Sequence, residues 1–460
     1  MRFRTQSVYQ KRDKMRKLRV LIQDLLTSFR TILLGFLVLI AVGALLLSLP
    51  IAVRDGEPVP FINALFTAAS AACVTGLVTY DTALKWSLFG KCVILLLIQI
   101  GGLGVVTAAV SAMLAAGKRI GLMSRITMQD AVSAPQVGGI IRFTQFFIKG
   151  TLLFEGIGAI LLYPVFLKDF GPLRGLGYAV FHSISAFCNA GFDLMGIDGP
   201  FSSLTRYAGN VWVNAVIMFL IIIGGIGFLT WEDLCSTRFR FRPLRLQTKL
   251  ILVGTVVLIV VPFLYLVLLE FRHLPLQERI LLSLFQAVTP RTAGFNTADY
   301  GSMSENGLLL TILLMLTGGA PGSTAGGMKI TTIAVISISA NTFLNRREYI
   351  NAFGRRIADD TVHNAMSLLT LYISLMIGGT FVIAAIEQLP VLPVMFECAS
   401  ALGTVGLSTG ITPGLSEVSK LILISFMYFG RVGALTLAYA MASNDRKDSR
   451  KMPLERITVG

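Results

Sequence analysis

Long apolar stretches separated by short polar connections dominate the hydrophobic pattern of the chain. A transmembrane helix needs about 20 mostly apolar residues to cross a hydrocarbon core of about 30 Å. Eight stretches meet this length and are predicted to span a membrane: 31–50, 88–117, 144–167, 209–230, 247–269, 306–341, 364–386 and 415–442. The second and sixth exceed one crossing and contain the pairs Gly101-Gly102 and Gly318-Gly319, so we expect kinks or breaks there.

The composition supports a membrane protein and excludes several other classes. Of the 460 residues, 54% are hydrophobic and only 14% are charged, and the mean hydropathy is +0.73. Soluble domains keep about a quarter of their residues charged, so a cytosolic enzyme, a disordered scaffold and a secreted disulfide module are excluded. The five cysteines lie mostly in apolar stretches and indicate no disulfide framework.

The net charge of +15 indicates the orientation of the chain in the membrane. In a chain this apolar, Lys and Arg mark cytoplasmic connections rather than a surface for nucleic acid. The connections rich in basic residues are 1–30, 118–143, 231–249, 342–363 and 443–460. The connections on the other side carry more acidic than basic residues. Both termini are therefore predicted to be cytoplasmic.

Each outward connection contains a short apolar segment, and the four segments are related in sequence. Aligned on one glycine, they read LFTAASAACVTGLVT, VFHSISAFCNAGFDL, SLFQAVTPRTAGFNT and MFECASALGTVGLST. The aligned glycines, at intervals of 115, 103 and 112 residues, are Gly76, Gly191, Gly294 and Gly406. Six residues before the glycine stand Ser70, Ser185, Val288 and Ser400. An internal repeat of this kind predicts four copies of one unit: span, re-entrant segment, span.

A short helix followed by an extended return strand suits a pathway for ions. Irregular backbone at membrane depth persists only where it is buried in protein or lines water. Four return strands around one axis can direct backbone carbonyls to a common centre, where they replace the hydration shell of an alkali cation. Glycine suits that centre because it accepts φ > 0 and occupies the least room. The partly negative C-terminal ends of the short helices also favour a cation.

The predicted fold is an all-α membrane protein with eight transmembrane helices and four re-entrant pore helices, arranged with pseudo-fourfold symmetry around one pore. The predicted parts of the chain are a basic cytoplasmic segment 1–30, repeats 31–117, 118–230, 231–345 and 346–442, and a cytoplasmic tail 443–460.

These residues resemble the pore-forming subunit of the Ktr/Trk/HKT superfamily of potassium transporters, and most closely the Ktr-B-type membrane subunit. The resemblance covers about 31–442 and rests on one glycine per repeat together with the glycine-rich stretches 98–104, 224–227 and 429–433. It implies potassium uptake through one pore per chain, homodimer assembly and a cytosolic ring of nucleotide-binding regulatory subunits. We expect no tightly bound cofactor; K+ is the expected transported ion, and a role for Na+ stays open.

The resemblance also implies which residues form the selectivity filter, namely Val74, Thr75, Gly76, Asn189, Ala190, Gly191, Thr292, Ala293, Gly294, Thr404, Val405 and Gly406. Tetrameric potassium channels carry Thr-Val-Gly-Tyr-Gly in four identical copies, whereas each copy here has one glycine and the four differ. Fewer continuous carbonyl rings predict looser exclusion of sodium.

The stretch 317–329, TGGAPGSTAGGMK, interrupts the sixth predicted span, because a regular helix cannot contain so many glycines and a proline. It does not match the phosphate-binding pattern of glycine, four residues and Gly-Lys-Ser/Thr. We predict that 317–328 forms a flexible intramembrane loop below the third filter segment that plugs or clears the pathway, and the resemblance implies the same. The predicted gate comprises Gly318, Gly319, Gly322, Ser323, Thr324, Gly326, Gly327, Lys329 and Arg431.

Arg431 and Glu155 are charged residues within predicted spans, where such a charge costs about 3 kcal/mol or more and normally faces a cavity or a partner. Arg431, placed below the filter, would raise the barrier for potassium; the alternative is an arginine held by carbonyl groups of the broken sixth span. Glu155 is predicted to brace a short helix or another repeat. Cys73 and Cys188 are predicted to be small packing residues, and Arg291, at their position in the third repeat, to hold pore-helix ends.

Two other classes of function are considered. A secondary cation carrier with alternating access would use inverted repeats, whereas these repeats all enter from the same side, which favours a pore. A membrane-embedded enzyme is rejected because the three histidines, His182, His273 and His363, are scattered. The chain has no nucleotide-binding domain, so a ligand-sensing regulator would be a separate polypeptide. The basic segment 1–30 suits either that regulatory ring or anionic membrane lipid, and no nucleic-acid partner is expected.

Overall fold

The computed structural model of the chain describes residues 28–115, 121, 125–129, 139–197, 199–433 and 455. Within these ranges almost all regular structure is helical, apart from one small antiparallel hairpin that pairs Asn351–Ala352 with Arg355–Arg356. Most of the basic segment 1–30, the end of the last predicted span and nearly all of the tail 443–460 lie outside the described residues.

The main helices follow one another in a recurring order of long helix, short helix, extended segment and second helix. In the first half they are α1 (Ser28–Leu47), α2 (Phe61–Ala72), α3 (Leu88–Leu103), α4 (Val105–Ala115), α5 (Ile140–Phe170), α6 (Pro172–Phe187), α7 (Val211–Gly225) and α8 (Phe228–Ser236). In the second half they are α9 (Leu246–Tyr265), α10 (Leu276–Val288), α11 (Glu305–Leu316), α12 (Ile330–Leu344), α13 (Asp359–Glu387), α14 (Val391–Gly403) and α15 (Glu417–Val432).

Four of these helices are long and apolar enough to cross a membrane: α1, α5, α13, and α9 together with the π-helical turn Leu266–Glu270 that continues it. Only 22% to 33% of each apolar stretch is buried within the protein. Most of their apolar side chains therefore face outward, where they can contact lipid tails. The chain is a helix-rich protein with several membrane-spanning segments.

The described residues contain up to six spans, if the bent pairs α3–α4 and α7–α8 each count as one. Two of the eight stretches predicted from the sequence are not among these six. The stretch 306–341 is divided into the shorter helices α11 and α12 by the non-helical segment 317–329. The stretch 415–442 begins with α15, and its residues from 434 onward lie outside the described part of the chain.

Two glycines with positive φ form the bends between paired helices. Gly104 (φ +84°) joins α3 to α4 at an angle of 96°, and Gly227 (φ +87°) joins α7 to α8 at 90°. Residues with a side chain rarely adopt this conformation. The break expected near Gly101-Gly102 therefore lies two residues later, and the break expected near Gly318-Gly319 is found at that position.

Glycines also let the second helix of a unit lie against the end of the short helix. A Cβ atom added to Gly101, Gly224 or Gly430 would lie 2.1, 2.0 or 2.2 Å from the carbonyl oxygen of Ala72, Phe187 or Leu402. Each of these oxygens belongs to the end of α2, α6 or α14. The glycine-rich stretches noted in the sequence are thus places where two backbones touch.

Serine caps fix the start of the helices that follow the extended segments. Ser304 and Ser416 are the N-caps of α11 and α15, where their hydroxyl oxygens accept hydrogen bonds from backbone N–H groups. The carboxylate of Glu270 accepts from the backbone N–H of Ser304 at 2.8 Å, and that of Glu387 accepts from Ser416 N–H at 2.9 Å and its hydroxyl at 2.6 Å. The end of the long helix and the start of the second helix are thereby tied together in the third and fourth units.

Replacing Ser416 by alanine should remove both the cap of α15 and the hydroxyl bond to Glu387. Loss of an N-cap costs about 1 kcal/mol, so the thermal unfolding midpoint of the detergent-purified protein should fall. Ser425→Ala is the matched control, because the Ser425 hydroxyl is exposed and donates only to Leu421 of its own helix. Equal midpoints for the two variants would contradict the role of this tie.

Candidate functional site

The four aligned glycines meet in a closed ring. A Cβ atom added to any of them would lie 2.1–2.8 Å from the carbonyl oxygen of the residue before another aligned glycine. For Gly76 the nearest oxygen belongs to Ala190, and for Gly191 it belongs to Ala293. For Gly294 it belongs to Val405, and for Gly406 it belongs to Thr75. The order runs from the first copy to the fourth and back to the first. No side chain fits at these four positions, and backbone oxygens line the ring.

Hydrogen bonds to the short helices fix the direction of these carbonyls. The N–H groups of Thr75, Ala190 and Val405 donate to the carbonyl oxygens of the serines five residues earlier, at 2.7–2.8 Å, and Ala293 N–H donates to Thr289 at 2.9 Å. Across a trans peptide bond the C=O of one residue and the N–H of the next point in opposite directions. Because the N–H groups of Gly76 and Gly406 donate to serine hydroxyls of the short helices, the carbonyl groups of Thr75 and Val405 point away from those helices and face the ring.

A second left-handed residue stands two positions before each glycine, which the sequence did not predict. The φ angles at Val74, Asn189, Thr292 and Thr404 are +58°, +57°, +69° and +50°, and those of the four glycines are +67° to +96°. For β-branched residues this conformation is a genuine outlier. Only asparagine, which tolerates it best among these residue types, gave a signal in the sequence.

The serine that recurs in three of the four copies bonds the return strand, in two different ways. The hydroxyl oxygens of Ser70 and Ser400 accept hydrogen bonds from the N–H groups of Gly76 and Gly406, both at 3.0 Å. The hydroxyl of Ser185 instead donates to the carbonyl oxygen of Phe192 at 2.7 Å. In the third copy Val288 cannot do this, and the adjacent Thr289 donates to Phe295. The exception in the sequence alignment is therefore compensated one residue later.

A cavity of about 560 Å³ opens on one side of the ring and is lined by all four glycines. Three carboxylates, Asp81, Asp193 and Asp299, contribute to its wall. Acidic groups that line one opening raise the local concentration of cations. The arrangement places a cavity with carboxyl groups in its wall next to a ring of backbone oxygens.

The glycine-rich loop 317–329 lies on the other side of the ring. A Cβ atom added to Gly326 would meet the hydroxyl oxygen of Thr404 at 2.1 Å, and one added to Gly318 would lie 3.4 Å from the Thr292 methyl. The sequence predicted a loop below the third segment. In the structure the loop contacts both the third segment and the fourth. Its own bonds include Ser323 Oγ to Ala320 O at 2.6 Å.

Backbone hydrogen bonds hold the loop to four helices. Ala320 N–H donates to Gly225 O at 2.9 Å, Thr324 N–H to Gly224 O at 3.3 Å, and Gly327 N–H to Gly430 O at 3.0 Å. Other predicted gate residues take part through their carbonyls, since Phe228 N–H donates to Gly322 O at 2.8 Å and Ile330 N–H to Gly319 O at 3.1 Å. The loop is ordered by partners from α7, α8, α12 and α15.

Arg431 joins this loop to the first bend. Its guanidinium donates to the carbonyl oxygens of Thr324 and Gly101, and to that of Gly102 at 3.1 Å. Lys329 points its ammonium at two carbonyl oxygens of the loop itself, at 2.8 and 3.4 Å. Arg431 therefore contacts the broken sixth stretch, as one of the two sequence interpretations expected, and it also contacts a second helix end that neither interpretation named.

The remaining predicted residues lie between helices. Glu155, 6% exposed, accepts from Gln99 Nε2 at 3.2 Å, and its backbone carbonyl accepts from Ser183 at 2.6 Å, so it links α3, α5 and α6. Cys73 and Cys188 are buried and unbridged. The buried guanidinium of Arg291 donates to Thr255 of α9 at 3.1 Å, and its Nε atom has no hydrogen-bond partner among the residues that the structure describes. These contacts are those of packing and bracing residues.

Comparison with known proteins identifies the family. A family model described as "TrkH: Cation transport protein" matches residues 24–449. The chain belongs to the TrkH family of cation transport proteins. The family resemblance inferred from the sequence is confirmed, and a transporter family is not an enzyme family.

Individual relatives of this TrkH-family chain match it over nearly its full length. It is 38% identical over 446 residues to the potassium/sodium uptake protein NtpJ of Enterococcus hirae, covering 95% of this chain and 98% of that protein. It is 40% identical over 430 residues to the Ktr system potassium uptake protein B of Bacillus subtilis, covering 92% and 95%. The crystal structure of the potassium transporter TrkH from Vibrio parahaemolyticus has the same fold, with a TM-score of 0.72 at 19% identity over 90% of this chain and 85% of that one.

The ring predicts that a methyl group at Gly406 blocks cation transport. In Gly406→Ala the new Cβ atom would lie 2.1 Å from Thr75 O, and rubidium uptake should fall by about tenfold or more, since the oxygens of the ring must move. Gly410→Ala is the control: its φ of +94° matches the +93° of Gly406, yet nothing lies within 4 Å of an added Cβ. Uptake should be measured in cells at matched protein levels. Equal losses would point to backbone strain instead of the ring.

Proposed function

We propose that this chain takes up potassium through a cation-selective pore in the plasma membrane. The observation that carries the proposal is the closed ring of four glycines, in which the backbone oxygens of Thr75, Ala190, Ala293 and Val405 converge. Carbonyl rings of this kind replace the hydration shell of an alkali cation. The selectivity filter is assigned to the three-residue segments that end at the four glycines. The names of the relatives, which are potassium or potassium/sodium uptake proteins, support the choice of ion.

The proposed architecture consists of eight spans and four re-entrant pore helices in pseudo-fourfold symmetry, with the pore helices α2, α6, α10 and α14. The repeat boundaries are 31–117, 118–230, 231–345 and 346–442. Two observations support this division: the recurring order of helices and the cyclic order in which the four glycines touch. The predominance of basic residues in alternate connections supports cytoplasmic termini.

The proposed gate is the loop 317–328 together with Lys329 and Arg431. Two cationic side chains on the far side of the ring from the acidic cavity raise the barrier for a cation that leaves the filter. The loop occupies the same side, where it contacts Thr292 and Thr404. Opening would require the loop to give up its bonds to Gly225 and Gly430 and the bond from Arg431. The pathway therefore has a closed state, and opening it requires only a few hydrogen bonds to break.

The remaining proposals concern ions and partners. Sodium is proposed as a second ion that the filter admits, supported by the name of the Enterococcus hirae relative and by the single filter glycine in each copy. A homodimer and a cytosolic ring of nucleotide-binding subunits are proposed from the resemblance to Ktr systems, one component of which is the Bacillus subtilis relative. The basic segment 1–30 would contact that ring or anionic lipid.

The function is tested by expressing the full chain in cells that lack their own potassium uptake, with and without a candidate nucleotide-binding partner. Growth at low potassium should be restored, and a functional partner should increase the rate. Planar-bilayer recordings of the purified chain should show unitary current steps. Saturable exchange without steps would identify a secondary carrier with alternating access and would contradict the pore.

Arg431→Ala should raise basal rubidium uptake, because the substitution removes a positive charge from the pathway and a bond to the loop. A barrier lower by about 1.4 kcal/mol corresponds to a tenfold rise in rate. Arg431→Lys, which keeps the charge and reaches fewer carbonyls, should give a smaller rise. Lys149→Ala, which removes an exposed cation of α5, should leave uptake unchanged. Unaltered uptake in Arg431→Ala would rule out its role in the gate.

A further inference from the structure

A second set of side chains from the short helices bonds the return strands beyond the glycines. The backbone N–H groups involved are those of Leu194, Thr297 and Thr409, each three residues after the aligned glycine. Their acceptors, one per pore helix, are His182, Gln286 and Glu397. All three are at most 1% exposed. The return strand is thus held at two places, before the glycine by backbone bonds and after it by these side chains.

Neutral groups make this tie in the second and third copies. The Nε2 atom of His182 accepts from Leu194 N–H at 3.2 Å, while Nδ1 lies 2.8 Å from Tyr178 O, which assigns the proton to Nδ1. The Gln286 amide, oriented with its oxygen toward the donors, accepts from Thr297 N–H at 3.2 Å and Ala298 N–H at 2.9 Å. An imidazole and an amide therefore do the same work at equivalent places.

Of the three side chains, Glu397 accepts the most hydrogen bonds from the segment after its glycine. Its Oε1 atom accepts from Thr409 N–H at 2.9 Å, Ser408 Oγ at 2.7 Å and Thr409 Oγ1 at 3.2 Å, and its Oε2 atom accepts from Thr412 Oγ1 at 2.6 Å. Ser408 in turn accepts from Gly410 N–H at 2.9 Å. Four donors match the acceptor capacity of one carboxylate. The whole turn that follows the fourth glycine is built around this side chain.

Among the described residues, no side chain of the first pore helix makes this bond to the residue three places after Gly76. Thr67 occupies the same position of its pore helix, nine residues before the glycine, and donates to Asn63 O of its own helix at 2.9 Å. Thr79, three residues after Gly76, has a buried hydroxyl with no hydrogen-bond partner in the part of the chain that the structure describes. This copy provides a natural reference in which a polar side chain at the same position does not reach the strand.

We propose that Glu397, with Gln286 and His182 in the same role, is a positioning residue that sets the preference of the pore for potassium over sodium. The inference rests on the proposed function above. The two ions differ in size, so discrimination depends on where the ring oxygens are held and how far they can move. Supporting groups must fix such a site to within about 0.5 Å. A return strand tied only before its glycine is free to shift Val405 O, whereas one also tied at Thr409 is not.

The test uses the purified full chain in liposomes, with rubidium as the tracer ion. Two quantities are measured: the external sodium concentration that halves rubidium influx and the external potassium concentration that does the same. The ratio of the first concentration to the second reports the preference for potassium. Glu397→Leu should lower this ratio by about tenfold or more because the strand loses its outer tie. Glu397→Gln should stay within about threefold of the unmodified protein, since an amide oxygen can still accept from Thr409 N–H, as Gln286 does for its own strand. Thr67→Val, the matched control, should leave the ratio unchanged.

Each other result contradicts the inference. An unchanged ratio in Glu397→Leu would show that the tie does not affect selectivity, and equal losses in the leucine and glutamine variants would show that the charge acts rather than the position. If Glu397→Leu does not fold, the double variant Ser408→Ala, Thr412→Val removes two of the four donors and should lower the ratio by about threefold; no change there would also overturn the inference. Absence of potassium-inhibited rubidium influx in the unmodified protein would instead contradict the proposed function itself.

Discussion

The ring of backbone oxygens is the constraint on which the rest of the structure depends. Four strands can approach one axis only if none carries a side chain there, which requires Gly76, Gly191, Gly294 and Gly406. The N–H groups of the same strands must then find acceptors away from the axis, because buried amides are costly to leave unpaired. The short helices supply those acceptors, and the surrounding helices separate the strands from lipid.

The parts of this arrangement that were visible in the sequence are those that only one residue type can satisfy. The ring excludes every side chain, so its four glycines recur at matching places and reveal the repeat. Ser70 and Ser400 recur because a short hydroxyl is needed within reach of the glycine amide. The break in the sixth stretch was visible because glycines and a proline cannot continue a helix. Each of these requirements is local, so one sequence suffices to read it.

Other features depend on contacts that no local pattern encodes. Positive φ at Val74, Thr292 and Thr404 opposes the preference of β-branched residues, so tertiary packing must impose it. The side-chain bond to the residue three places after the glycine is made by an imidazole, an amide or a carboxylate in different copies. In the third copy the bonding residue is also shifted by one place relative to the glycine. No residue type is therefore shared at this position of the aligned repeats. Arg431 meets Gly101, a residue 330 positions away, because two helix ends come together in the fold.

The bends explain why a loop and a cation can occupy this side of the ring. A helix leaves the carbonyls of its last turn without intrahelical partners, and α7 ends beside the loop. Ile226 N–H, Trp231 Nε1, Thr324 N–H and Ala320 N–H each bond one of its last four carbonyls, those of Ile222, Ile223, Gly224 and Gly225. Arg431 fills the same need at the end of α3, where the helix dipole also favours a positive charge. The bends therefore create free acceptors, and Ala320, Thr324 and Arg431 from the proposed gate and its loop donate to them.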